Sequence, residues 1–224
     1  MKHNSDKVNL GCGIFVIQGW INIDFSLNAW LARHKIIKLI LKLSHLAPGK
    51  LFLSSWDRSI LIHDVRKGLP FKDNSKSAVY SSFLWEHLYL EQGKRLLREC
   101  FRVLKPGGVL RVVVPDLGFF ISQYVNAKKT ENSSAGSDIE LKADKFILAL
   151  CMHDALPVSG SALYRFYTSI TELHLHKWWY DAESLLMYFK QAGFVDAQSM
   201  SHSESKIAEL AEFESKNQDA GVIY

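Results

Sequence analysis

Residues Val109-Leu110-Arg111-Val112-Val113-Val114 form a run dominated by β-branched side chains, directly after Lys105-Pro106-Gly107-Gly108. A proline that stops a helix and glycines that supply unusual backbone angles make the tetrapeptide a turn. The apolar run then reads as a buried strand. Upstream, Leu96, Leu97, Cys100, Phe101 and Leu104 recur at helical spacing, with Lys94, Arg95, Arg98, Glu99 and Arg102 between them. An amphipathic helix therefore feeds the strand, which is half of a βαβ unit. Further strand candidates are Val8 to Leu10, Trp20 to Asp24, Ser59 to His63, Ala78 to Ser82, Phe194 to about Met200, and Gly221 to Tyr224. Short apolar stretches alternating with helical patterns predict an α/β fold with a mostly parallel sheet.

Composition narrows the function classes. The chain has 224 residues, 48% hydrophobic and 22% charged, which is ordinary for a folded soluble domain. A formal charge of +4 without a clustered basic face gives no support for a nucleic-acid partner, so none is expected. Three cysteines, Cys12, Cys100 and Cys151, are few and odd in number, which fits a reducing compartment. No run approaches the roughly 20 apolar residues of a membrane span, and Met1 to Val8 is polar. The expected location is cytoplasmic, with peripheral contact at the inner membrane held open by the segment considered next.

Residues 27–50 carry Arg33, Lys35, Lys38, Lys42 and Lys50 without one acidic residue. Lys35, Lys38, Lys42 and His45 share one face of a helix, while Ile36, Leu39, Ile40, Leu43 and Ala47 share another. Two readings follow. Residues 33–46 meet an anionic surface or substrate, or the helix is a cap packed on the sheet with a wet basic side. The whole chain reads as one domain, 1–224, with a helical cap at 26–58. A second helical insertion at 118–177 is divided by the polar stretch Lys128 to Asp138, and a last helix is expected over Ser203 to Lys216.

The chemistry gathers at strand ends. The first strand runs into Gly11-Cys12-Gly13, where glycine lets the backbone pass close to a ligand. The second ends in Asp24, a carboxylate suited to ribose hydroxyls and equally to capping the helix that begins near Leu27. The third ends in His63-Asp64-Val65, and the fourth in Ser81-Ser82-Phe83-Leu84-Trp85-Glu86-His87. Polar or glycine positions at the carboxyl ends of successive strands are what ligand binding in an open α/β sheet requires.

Val8 to Gly13, Gly19 to Asp24, His63-Asp64-Val65 with Leu69-Pro70-Phe71, Trp85-Glu86-His87-Leu88 and Leu96 through Asp116 resemble the successive motifs of class I S-adenosylmethionine (SAM)-dependent methyltransferases. The resemblance is to the type-11-like bacterial group associated with cell-surface saccharide pathways. It returns at Lys177 to Asp181 and Ala192-Gly193-Phe194. It implies a Rossmann-like, doubly wound, mostly parallel sheet of the seven-stranded type with a helical insertion after the fifth strand. It also implies SAM as cofactor and a small-molecule or saccharide acceptor methylated at oxygen. Residue by residue, Gly11, Cys12 and Gly13 would line the methionine and ribose, with Asn9 at the commonly acidic position before them. Asp24 would hold the ribose hydroxyls, Asp64 and Val65 the adenine, and Ser82 and Phe83 the sulfonium end. The usual third glycine is replaced by Ile14-Phe15, and the short Gly13-to-Asp24 connection leaves little or no room for a crossover helix. The missing glycine disfavours a nicotinamide enzyme. A non-catalytic module that keeps the fold remains the other alternative.

A hydroxyl acceptor benefits from a general base. His174 and His176, before Trp178-Trp179-Tyr180, are the catalytic candidates, ahead of His153-Asp154 and His87. His153, Asp154, His174 and His176 offer metal-ligand types but match no closed-site spacing, and methyl transfer needs no metal, so none is expected. Tyr164, Phe166, Tyr167, Trp178, Trp179 and Tyr180 read either as an acceptor wall or as core.

Overall fold

The computed structural model describes residues 5–44, 55–129, 142–152, 162, 165, 175–201, 204–215 and 222–223. Its sheet runs β3-β2-β1-β4-β5-β6. The strands are β1 (Lys7–Leu10), β2 (Ile21–Asp24), β3 (Leu61–Ile62), β4 (Lys76–Ser82), β5 (Leu104–Pro115) and β6 (Val222–Ile223). The first five pair in parallel and β6 lies antiparallel on the end of β5. Strand order reverses between β1 and β4, so their carboxyl ends splay apart into the crevice where open α/β sheets bind ligands. The fold is Rossmann-like α/β.

Both faces of the sheet are covered. Helices α3 (Leu90–Val103) and α6 (Ala182–Gln191) bury Leu96, Leu97, Cys100, Val103 and Leu185 against Val8, Leu10, Ile21, Ile23, Val79 and Val112. On the other face, α7 (Ala208–Ser215) contributes Leu210, which joins Ile17, Trp20, Ala78, Tyr80 and Val113. Each fully buried branched side chain contributes about 1.5–3 kcal/mol relative to exposure. Ile17 and Trp20 matter topologically, because no helix lies between β1 and β2. Their side chains cover the sheet where a crossover helix ordinarily would. The connection is braced by Asn22, whose Oδ1 accepts from Ile17 N at 2.9 Å and from Asn9 Nδ2 at 3.0 Å. A bidentate ion pair joins β5 to α7: Arg111 Nε and Nη2 donate to Glu214 at 2.7 and 2.6 Å, both side chains buried.

Three expectations change. Among the described residues the sheet has six strands, not seven. Phe194 to Met200 does not form a strand, for it lacks an alternation worth burying: Val195 points to solvent and Asp196 takes φ +54°. The expected turn at Lys105 to Gly108 is drawn into β5 as an irregular start, with a register shift opposite Lys76 and Ala78. The basic helix is two helices, α1 (Leu27–Arg33) and α2 (Lys35–Leu43), broken at His34, whose ψ of 66° is not helical. Only α1 packs. α2 has no buried residue, and Ile36 is 75% and Leu43 70% exposed.

After β5 the chain continues in α4 (Leu117–Lys129) and α5 (Lys142–Ala149), joined by Tyr124 and Phe146 with ring centroids 4.9 Å apart.

Candidate functional site

The β1 turn is built around two glycines in the left-handed region, Gly11 at φ +65° and Gly13 at φ +53°. They are glycine for different reasons. A Cβ on Gly11 would sit 2.9 Å from Leu84 Cβ, so the loop after β4 needs that space. A Cβ on Gly13 would meet nothing within 4 Å, so Gly13 faces an opening. The turn is strapped to β2 through Asp24, whose Oδ2 accepts from Gly13 N at 2.9 Å while Oδ1 accepts from Ser26 N at 2.8 Å. Ser26, not Asp24, caps α1. A carboxylate with one bond to each oxygen keeps lone pairs for hydroxyl donors.

Two expected cofactor residues sit beneath this surface. Asn9 is buried and donates from Nδ2 to the Phe15 carbonyl at 3.1 Å and to Asn22, so both amide hydrogens are spent inside the protein. Cys12 turns its side chain into a cluster with Ala29 and Ile60, and burial, reinforced by Asp24, pushes its thiol up to about 12. It is an inert packing residue. Ile14 and Phe15 project into solvent.

Asp64 caps a short 3-10 helix, Val65–Lys67, and is held by Arg66 through Nε at 2.8 Å and Nη2 at 2.9 Å. Burial acts to raise the Asp64 pKa, but the Arg66 bonds outweigh it and the carboxyl ends below its usual value. Val65 lies in the core beside Val8 and Leu69. The Arg66 guanidinium stands 5.9 Å from the centroid of Phe25, an exposed ring that directly follows Asp24. Sequence reasoning missed Phe25 and Arg66, although each adjoins a residue it had singled out. At the end of β4, Ser82 is half-buried, and Phe83 adopts φ +52° with its ring exposed. A left-handed non-glycine residue costs about 1–2 kcal/mol, and the bond from Phe83 N to Val113 O at 3.0 Å holds it there. Gly13, Asp24, Phe25, Arg66 and Phe83 thus mark the carboxyl edge from β3 to β4.

Beyond Phe83 the 3-10 helix Trp85–His87 meets the chain where the insertion ends. Lys177 N and Trp178 N both donate to the Glu86 carbonyl, at 2.6 and 3.2 Å, and bring His176 to within 5.0 Å of His87, ring centroid to centroid. Trp179 lies 5.3 Å from His176, and Phe120 of α4 lies 5.0 Å from Trp179, so aromatic faces do gather here. Burial lowers His176 to about 4, the neighbouring His87 adds to this, and a hydrogen bond with the Leu150 backbone opposes it. Glu86 is almost wholly buried, and desolvation pushes it up to about 8 while its own backbone pulls the other way. Glu86 was not named from the sequence as a site residue. Its charge between Trp85 and His87 was the available signal. His153, Asp154, Tyr164, Phe166, Tyr167 and His174 lie outside the described residues.

A cavity of about 620 Å³ lies elsewhere, between β5, α6 and the 194–200 segment, lined by Phe101, Val112, Leu185 and Phe194. None of the strand-end residues lines it. It lies beside β5, against the 194–200 segment that forms no strand.

Residues 40–112, about a third of the chain, match the family model described as a methyltransferase domain. The match takes in Asp64, Ser82, Phe83 and Glu86, and begins after the glycine turn and Asp24. Residues of the chain align at 29% identity over 137 positions with the uncharacterised Saccharomyces cerevisiae protein YBR225W, covering 58% of this chain and 13% of that protein. The chain thus spans about an eighth of that relative. Among solved structures, a SAM-dependent methyltransferase from Methanosarcina mazei is 17% identical with a TM-score of 0.46, covering 91% of this chain and 87% of that one. An S-adenosylmethionine-dependent methyltransferase from Mesorhizobium loti is 14% identical with a TM-score of 0.43, covering 100% and 91%. PigF with S-adenosylhomocysteine (SAH) is 16% identical with a TM-score of 0.43, covering 89% of this chain and 48% of that one.

Proposed function

We propose that this chain is an S-adenosylmethionine-dependent methyltransferase acting on a small-molecule or saccharide acceptor at oxygen. The observation that carries the reading is the row of groups along one sheet edge, Gly13, Asp24 and Phe83, at the point where strand order reverses, within a chain that matches a methyltransferase domain. The residues present fit the cofactor at two ends. Open space in front of Gly13 and the spare lone pairs of Asp24 suit a ribose, and Ser82 and Phe83 stand where the sulfonium would point. At the adenine end, Phe25 and the Asp64–Arg66 pair offer a ring face and a fixed charge pair, with Val65 supporting from below. Asn9, Gly11 and Cys12 act by shaping the turn.

The cofactor, when bound, supplies an electrophilic methyl group. The protein's own contribution is alignment and exclusion of water, which can supply several kcal/mol of a displacement barrier. Asp24 fixes the glycine turn, Phe83 walls the edge, and Phe120, Trp179 and His176 form an acceptor side at the two ends of the 118–177 insertion. His174 belongs to the same segment and is kept, with His176, as a candidate base. We further propose that α2 and its neighbours, residues 33–46, rest on the cytoplasmic face of a membrane. In support, none of the described helices is long and apolar enough to cross one, yet α2 leaves an apolar stripe exposed together with Lys35 and Lys42, with Lys38 half-buried beside them.

Calorimetric titration tests the cofactor assignment. SAH is expected to bind the native chain at micromolar concentration, NADH to give no heat, and Asp24→Ala to lose roughly ten- to a hundredfold in SAH affinity, as expected for a hydrogen bond to a charged group. Binding of NADH in place of SAH would replace the reading with the nicotinamide alternative.

A further inference from the structure

Glu86 and His87 meet His176 from a distant segment of the chain, and one ligand atom from each lies within 4.8 Å of the other two. Glu86 is 1% exposed, and neither of its carboxylate oxygens meets a hydrogen-bond partner. His176 Nδ1 is likewise buried without one. A buried carboxylate and a buried imidazole nitrogen left unpaired in the same small space are costly, and native structures rarely leave such groups unexplained. Pairing them with each other would require the carboxyl group to keep its proton and turn it toward the ring. A single cation would satisfy both at once.

The hydrogen bonds around the two histidines favour the cation. His87 Nδ1 lies 3.1 Å from the Leu175 carbonyl, which assigns a proton to that nitrogen and makes Nε2 the atom that would ligate. His176 is fixed through its backbone N–H, which donates to the Cys151 carbonyl at 2.9 Å, while its Nδ1 is buried without a partner. The His87 ring is thus anchored through one nitrogen to a backbone carbonyl, the outer-shell arrangement that orients metal-ligating histidines. The backbone also holds the two halves in place, since Lys177 N and Trp178 N both donate to the Glu86 carbonyl.

We propose that Glu86, His87 and His176 bind one divalent transition-metal ion, with zinc the best match, leaving a coordination position open. Two imidazoles and a carboxylate suit zinc and its neighbours, whereas calcium and magnesium prefer all-oxygen shells. Three protein ligands with a free fourth position is the pattern of reactive rather than purely structural zinc sites. Ligand bonds of about 2.0–2.2 Å in tetrahedral geometry put the ligand atoms roughly 3.3 Å apart, so the side chains must close by at most about 1.5 Å. Rotation about side-chain torsions supplies that movement without disturbing the backbone. Trp179 and Phe120 shield one side and strengthen attraction to an ion. The open position suits an oxygen ligand such as a hydroxyl or carboxylate, and with the ion in place His176 is a ligand and not a base. Metal binding itself does not rest on the methyl-transfer reading.

The test uses the full chain, stripped with a chelator and titrated with Co(II) alone. One equivalent is expected to give the visible absorption of four-coordinate cobalt, bleached by one equivalent of Zn(II). Glu86→Gln and His176→Ala are each expected to weaken Co(II) binding at least a hundredfold, with folding checked by circular dichroism. A spectrum of merely hydrated cobalt from the native chain would overturn the site whatever the variants do. So would unchanged binding in both folded variants. SAH affinity measured on the same samples keeps the two readings separate: cobalt binding without SAH binding would leave the ion site standing and remove the methyltransferase proposal.

Discussion

Glu214→Ala is expected to destabilise the fold by about 3–5 kcal/mol, because it removes the carboxylate that pairs with the buried Arg111 charge. The side chains of Arg111 and Glu214 are 5% and 3% exposed and meet through two bonds of 2.7 and 2.6 Å. Solvent screening is negligible at such burial. A domain of this kind has about 5–15 kcal/mol of total stability, so a loss of that size lowers the urea midpoint well outside experimental error. Replacing both partners with apolar residues of similar volume, Arg111→Met with Glu214→Leu, is expected to recover most of the loss, since the desolvation cost disappears along with the attraction. A Glu214→Ala midpoint equal to that of the native chain would show that α7 is not held against β5 in this way. The measurement is equilibrium urea unfolding followed by circular dichroism.

Changing Lys35, Lys38 and Lys42 together to alanine is expected to reduce binding to vesicles rich in anionic lipid by roughly a hundredfold. Each lysine near such a surface contributes about 1 kcal/mol, and tenfold in binding corresponds to about 1.4 kcal/mol. The apolar stripe supplies the rest: Ile36, Leu39, Ile40 and Leu43 are all more than half exposed. Added salt is expected to weaken the binding of the native chain far more than that of the triple variant, because only the charge contribution is screened. Sedimentation with vesicles measures both. A native chain that stays in the supernatant with anionic vesicles at low salt would contradict the membrane assignment.

The parallel α/β sheet was legible in the sequence because its signals are local. The Val109 to Val114 run, the helix before it and the strand ends at Leu10, Asp24 and Ser82 each show in a window of a dozen residues. The absence of a first crossover helix was legible too, from the short spacing between Gly13 and Asp24. What replaced it was not, because Ile17, Trp20 and the Asn9–Asn22 bond make sense only once the two faces of the sheet are assembled. The failure of Phe194 to Met200 as a strand reflects a weak pattern, with Asp196, Gln198 and Ser199 breaking the alternation that a buried strand needs.

The candidate site divides along the same line. Asp24 and the glycines were found because strand ends can be read one at a time. Arg66 was overlooked because sequence alone does not show that it turns back onto Asp64. Glu86 was overlooked because His176, the residue brought beside it, is 90 positions away and is held there by the backbone bonds of Lys177 and Trp178. The α2 helix gave the opposite lesson: its amphipathic spacing is equally compatible with a packed cap and an uncovered surface, and only its burial in three dimensions separates the two.

A crystal of the native chain grown with SAH tests most directly the claim that a nucleoside lies across these strand ends. Density for its ribose is expected at hydrogen-bonding distance from Asp24, with the sulfur beside Phe83 and the adenine against Phe25. Density in the cavity between β5 and α6 with an empty edge at Asp24 would contradict the account.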